Sequence, residues 1–227
     1  MTLNASQVGF ALESCVVCAR AVSAPYCSPR AAAAFGCKGT AITDQTRNDV
    51  LSFFNFIRQR LSQGEYNEYG ISSASDMNKL RWDCNLEAIA ARLVQNCPED
   101  VPLSSAEHAL NFNYYGPHTA EEVLKSPITA SMWKWTEIAN AGWPADNVFN
   151  GNEVLHSFAN MVSANATAAG CYSSTCVERA SSACVFSQCA IPNGVLVYTS
   201  GTPCENGGQC ASPKTGVCEY GICVLTA

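Results

Sequence analysis

An α+β fold is predicted by three features of this 227-residue chain. Apolar residues recur at helical spacing through residues 43–162. After Gly170 that period gives way to short β-branched and aromatic runs bounded by Gly and Pro, which read as strands. Fourteen cysteines, an even number far above cytosolic usage, point to a disulfide-stapled chain in an oxidising, extracellular setting. Helices first and strands later predict an antiparallel sheet covered by helices.

The first helix can be capped by Thr43 or Asp44. Val50, Phe53, Phe54, Ile57 and Leu61 make one apolar stripe, and Gly64 stops it. A loop follows through "EYNEYGISSAS". The second helix starts after Trp82 with Asp83 as its cap. Its stripe is Leu86, Ile89, Ala90, Leu93, Val94 and Cys97, and Pro98 ends it. A short helix fits residues 120–125 and breaks at Pro127. Another is expected from about residue 129 to 141, ahead of Gly142. "VLHSFANMVSANATAAGC" then repeats the helical period at Val154, Leu155, Phe158, Met161 and Val162. "ACVFSQCA" and "GVLVYTSG" read as strands.

The cysteines fall into three groups. Cys15, Cys18, Cys27 and Cys37 lie in an Ala-, Ser- and Pro-rich arm, residues 1–42. Cys84, Cys97, Cys171, Cys176, Cys184 and Cys189 spread through a core domain, residues 43–203. Cys204, Cys210, Cys218 and Cys223 close a Gly-rich tail, residues 204–227, that reads as a disulfide knob. The pair Cys15 and Cys18 is a CxxC, but its neighbours are irregularly spaced and no histidine lies in the first 100 residues, so a zinc site is not expected. Sequons at Asn4 and Asn165 fit secretion. The first residues carry neither a basic start nor an apolar core with a cleavage site, so no leader is read there. Charged residues are sparse at 14% and the net charge is −6, which argues against a nucleic-acid partner. No run of 18 apolar residues exists to span a membrane.

"SASDMNKLRWDCNLEAIAARLVQNC" is more specific. A methionine, then Leu-x-Trp-Asp, then a leucine and alanines ending in cysteine resembles the CAP superfamily of cysteine-rich secretory, antigen 5 and pathogenesis-related proteins. Met161-Val162, Gly170-Cys171, Cys184 to Phe186 (where the family has Cys-x-Tyr), "IPNG", Tyr198 and "GTPC" follow in the family's order. The resemblance covers about residues 43–204. The cysteine-rich ends look most like activation-associated and venom-allergen-like proteins of parasitic nematodes.

The resemblance implies an α-β-α sandwich, secretion and, in many members, sterol or lipid binding. It also implies an open cleft lined by two histidines and two glutamates that sometimes holds a divalent metal. Carried over by position, the glutamates are Glu107 and Glu137. The first histidine has no counterpart in "CPEDVPLSS". The second falls on Ser157, with His156 one residue early and His108 beside Glu107. The resemblance further implies Cys171–Cys184 and Cys97–Cys176 disulfides, which leaves Cys84 for Cys189, with the two end groups pairing within themselves.

Read from the residues alone, Glu107 and Glu137 are either cleft carboxylates or ordinary surface groups. His156 lies opposite its helix's apolar stripe and is expected to be solvated. Tyr114, Tyr115, Trp133, Trp135 and Trp143 are expected to be mainly structural. Gly-x-Ser-x-Gly is absent, and cysteines that pair leave no thiol nucleophile. The expectation is a secreted, non-enzymatic protein without cofactor, metal or catalytic residue. It would bind a sterol, a fatty acid or a host protein and modulate host immunity during parasitism. A receptor-engaging interaction module, a homodimer and a metal-dependent hydrolase are the alternatives.

Overall fold

The computed structural model describes residues 35–102, 107–138, 142–210 and 214–226. The cysteines at 15, 18 and 27 and the sequon at Asn4 lie outside them. Helix α1 (Asp44–Ser62) is capped by Thr43, whose hydroxyl accepts from the Thr46 amide at 3.1 Å. Its stripe buries Val50, Phe54, Ile57 and Leu61. The Asp83 carboxylate caps helix α2 (Cys84–Leu93) by accepting from the Asn85 and Leu86 amides at 2.8 and 3.2 Å. Both caps were expected, because a cap is a local feature.

Strands β1 (Arg81–Trp82), β2 (Ala109–Tyr115), β3 (Ala168–Cys176) and β4 (Arg179–Phe186) form one sheet in the order β1-β3-β4-β2. Pairing is antiparallel except for two-residue β1, which runs parallel to β3. One face packs on α2: Leu86, Ala90 and Val94 meet Leu110, Ala168, Ala183 and Val185. The other face meets the main core, which includes Phe54 of α1, Ile128 and Met132 of α4 (Pro127–Lys134), Leu155 and Phe158 of α5 (Glu153–Val162), and Phe186 of β4. Helices thus cover both faces, which is the expected α-β-α sandwich. Seven consecutive buried residues in β4 follow from that two-sided cover.

Several element boundaries differ from expectation. Helices do not all precede strands: β2 lies between α2 and the short α3 (Glu121–Lys125). Pro127 starts α4 rather than only breaking the helix before it, since a first-turn amide needs no partner. Helix α4 stops at Lys134, seven residues short of the expected end. "GVLVYTSG" is not a strand. It makes only isolated bridges, Val148 with Leu196 and Ala74 with Ser200.

Gly170 shows why Gly-Cys stands at this point. A Cβ there would lie 2.6 Å from both the Asp83 carbonyl oxygen and the Leu86 carbonyl carbon, and against the Glu87 amide nitrogen. The first turn of α2 rests directly on the β3 backbone. Gly170→Ala is therefore expected to push α2 off the sheet and destabilise by about 3 kcal/mol. A urea midpoint unchanged from the parent chain would contradict this.

Cys171–Cys184 crosses a register pair of β3 and β4, and Cys97–Cys176 ties the segment after α2 to the end of β3; both pairings are as the resemblance implied. Cys84 is a correction. It bonds Cys37, not Cys189, because α2 begins beside the segment that leads into α1. The bond crosses the expected boundary at residue 42, and the N-terminal cysteines do not pair only among themselves. Cys189 is exposed and has no disulfide partner among the described residues. In the tail, Cys204–Cys218 and Cys210–Cys223 clamp the hairpin of β5 (Gly216–Glu219) and β6 (Ile222–Leu225). The tail is more than a knob, because Ile222 is fully buried in the main core and the Cys223 amide donates to the Met77 carbonyl at 2.8 Å.

Candidate functional site

The cleft candidates sit around β2. Glu107 and His108 directly precede it, and the Ala109 amide donates to the Gln188 carbonyl at 2.6 Å. Inside, a chain of amide side chains fastens β2 to α5. Asn111 Nδ2 donates to the Ser157 carbonyl at 2.9 Å, and Asn160 Nδ2 donates to Asn111 Oδ1 at 3.0 Å. Gln188 Nε2 donates to the Asn160 carbonyl at 3.1 Å. Ser157, which the resemblance set at the family's second histidine position, is thus held against β2 through its backbone. Glu137 follows the end of α4, where Trp135 Nε1 donates to the Phe112 carbonyl at 3.4 Å. Its charge reaches Tyr115, whose hydroxyl accepts from Ser131 at 3.1 Å. Burial raises the Tyr115 pKa, Ser131 and Asn113 oppose the rise, and Glu137 adds to it.

His156 corrects an expectation. It is not a solvated group: it is half-buried, and its ring lies 5.7 Å from that of Phe149. Phe149 is itself held by hydrogen bonds with Val195 and Gly194. Burial pulls the His156 pKa below the ordinary imidazole value, against the opposing charge of Glu153. A depressed folded-state pKa means the neutral ring is preferred. Its contribution is whole above the unfolded value of about 6.5 and is lost as pH falls through the folded value. His156→Ala is expected to cost about 1 kcal/mol at pH 8, mostly from the Phe149 contact, and less at pH 5. Equal losses at both pH values would refute the buried-ring account.

Glu107 and Glu137 are both exposed. Among the described residues no three His, Cys, Asp or Glu side chains lie close enough together to hold a metal ion. Among the described residues the donors at the positions the resemblance set do not fit a metal centre: Ser157 offers a neutral hydroxyl in place of an imidazole, and the His156 ring lies against Phe149. The aromatics are structural in large part. Trp143 stacks on Tyr198 at 6.1 Å and donates to Asn147 Oδ1 at 2.9 Å, and Trp133 meets Phe53 edge-on at 4.8 Å.

Sequence reasoning missed one concavity. A cleft of about 380 Å³ lies between the start of α1 and the α3–α4 junction. Ile42, Val50, Pro127 and Ile128 line it with Asp49 and Lys125. Val50 and Ile128 look like ordinary stripe residues, and only the packing of α4 beside α1 opens a space between them.

The two-sided sandwich with its cross-sheet disulfide carries the motifs quoted above, and residues 51–189 match the model of CAP, the cysteine-rich secretory protein family. The chain belongs to that family. An Ancylostoma secreted protein of Ancylostoma caninum is 30% identical over 193 residues, 83% of this chain and 45% of that relative. Hookworm platelet inhibitor 1 of the same species is 28% identical over 143 residues, 63% of this chain and 65% of that protein. Among solved structures, Na-ASP-1 matches with a TM-score of 0.76 at 26% identity, covering 86% of this chain and 49% of that one. This CAP chain thus spans about half the length of the first and the last of these. No helix among its described residues is long and apolar enough to cross a membrane.

Proposed function

We propose that this CAP protein acts outside the cell, without catalysis, by binding a host protein through its rigid surface and so modulating host physiology and immunity. One observation carries this reading. At the positions the resemblance assigns to the family's cleft histidines, the chain has Ser157, whose backbone carbonyl accepts from Asn111, and no imidazole in "CPEDVPLSS". A hydrolase needs a positioned base beside a nucleophile or metal, and among the described residues no cluster of three His, Cys, Asp or Glu side chains supports one. The relatives support a host-directed role by name: one is a secreted hookworm protein and another a platelet inhibitor. The scaffold suits surface recognition, since cross-linked strands hold exposed apolar groups such as Val177 and Tyr220 at fixed places, and preordering lowers the entropic cost of binding.

A second reading has its own observation. The cleft beside α1 has a mixed lining, with Ile42, Val50, Pro127 and Ile128 set among Thr43, Thr46, Asp49, Ser126, Thr129 and Ser173, and the Lys125 ammonium, paired with Glu121 at 2.8 Å, is the one cation among the described residues that lines it; the apolar part would take a fatty-acid tail or a sterol. Two measurements separate the readings. The chain, secreted from eukaryotic cells, is extracted and its lipids are weighed by mass spectrometry, then titrated with cholesterol and palmitate. The same preparation is immobilised and exposed to purified vertebrate cell-surface ectodomains. Saturable lipid binding lost in Thr129→Trp, an exposed position on the cleft wall, with the urea midpoint unchanged would put the lipid reading first. Saturable protein binding with flat lipid titrations is the outcome we expect. Hydrolysis of ester or peptide substrates that a chelator abolishes would overturn both.

A further inference from the structure

We propose that Asn165 is an N-glycan acceptor. The proposal rests on the extracellular reading above, and the observations behind it lie in the turn between α5 and β3. That turn is fastened inward at nearly every backbone group. Arg58 Nη1 donates to the Met161 and Ser163 carbonyls at 2.8 and 3.0 Å, and Nη2 to the Ala166 carbonyl at 3.3 Å. Asn78 Nδ2 donates to the Ala164 carbonyl at 2.7 Å, and the Ala164 amide to the Val197 carbonyl at 2.8 Å. The Thr167 amide donates to Ser187 Oγ at 3.0 Å. Ser163, Ala164 and Ala166 are buried in consequence, whereas Asn165 between them is exposed.

The turn therefore offers solvent one outward residue on a rigid base, and that residue opens Asn165-Ala166-Thr167, an acceptor sequence with no proline in the middle. A sequon in a buried strand could be modified during synthesis only at the expense of folding. Here the folded chain carries a glycan on Asn165 without moving Ala166 or Thr167. The donor is a lipid-pyrophosphate-linked oligosaccharide. The Asn165 carboxamide nitrogen bonds to the anomeric carbon, the sugar–pyrophosphate bond breaks with its electron pair leaving on the pyrophosphate, and the nitrogen's proton passes to base.

The test expresses the full chain behind a secretory leader in eukaryotic cells. Peptide-N-glycosidase treatment in heavy-oxygen water turns an occupied asparagine into labelled aspartate, read by peptide mass spectrometry. Medium and cell lysate are both measured. Label at position 165 in most of the chain is expected, lost in Asn165→Gln and in Thr167→Ala and retained in Thr167→Ser. A chain in the medium with Asn165 unmodified overturns the proposal and leaves the extracellular reading standing. A chain labelled at Asn165 but held in the cell keeps the proposal and counts against that reading. Asn165 unmodified in both fractions overturns it outright.

Discussion

Glu87→Ala is expected to destabilise the protein by about 3–5 kcal/mol, the range for removing one partner of a buried ion pair. The Glu87 side chain is fully buried. Its Oε2 accepts from Arg47 Nε at 2.7 Å and from Trp82 Nε1 at 2.7 Å, and its Oε1 accepts from Arg47 Nη2 at 2.7 Å and from the Thr40 hydroxyl. Four donors from three different segments thus meet on one carboxylate. Truncation strands the Arg47 guanidinium, only 4% exposed, with Asp44 as its remaining acid partner. It also frees the segment that carries Thr40 and the Cys37–Cys84 bond. Glu87→Gln keeps the volume and one acceptor oxygen and is expected to lose about half as much. Urea unfolding checks both, with a lowered midpoint at constant slope.

The same site predicts a pH response. Burial pushes the Glu87 carboxyl up, but the hydrogen bonds from Arg47, Thr40 and Trp82 and the Arg47 charge outweigh it and hold the group below its ordinary value. A carboxylate with a depressed folded-state pKa contributes stability that is whole above its unfolded value of about 4.3 and is lost as pH falls through the folded one. The gap between the parent chain and Glu87→Gln is therefore expected to narrow in acid. A gap that widens there would contradict the assignment.

What was legible in the sequence was local or covalently close. The caps Thr43 and Asp83 and the stripe of α1 follow from a few neighbouring residues. Gly170-Cys171 was legible as a motif, and its cause, the α2 backbone against β3, needs the packed structure. Strand β2 was hidden because its inward residues are polar. Asn111 and Asn113 are 1% and 8% exposed, so the usual apolar-in pattern is broken where the amide chain to α5 replaces hydrophobic contact. Val195 and Leu196 mislead in the opposite sense, being apolar and β-branched or long yet partly exposed beside Phe149 in an irregular loop. His156 faces away from the helix's stripe as its spacing says, but Phe149, seven residues earlier, covers it. The partner of Cys84 is set by which loop passes α2, and no spacing rule contains that.

Arg58→Met is expected to cost on the order of 4 kcal/mol, a loss large enough to leave little soluble chain at physiological temperature. Arg58 is fully buried in the middle of α1. Its guanidinium donates to four backbone carbonyls: Nε to Asn78 at 2.7 Å, Nη1 to Met161 and Ser163, and Nη2 to Ala166. Three of these carbonyls belong to the end of α5 and the turn into β3; Ser163 also accepts from the Ala166 amide at 3.1 Å, whereas Met161 and Ala166 depend on Arg58, and an unpaired buried carbonyl costs about 1–3 kcal/mol. A planar fork with five donors matches that array. The three donors of an ammonium do not, so Arg58→Lys is expected to lose about half as much as Arg58→Met. Hydrogen exchange gives the distinguishing readout. Amides of the turn, such as Ala164 bonded to Val197 and Ala166 bonded to Ser163, should lose protection in Arg58→Lys before those of β4 do. A uniform loss across the sheet would show that Arg58 fills space and does not hold the turn.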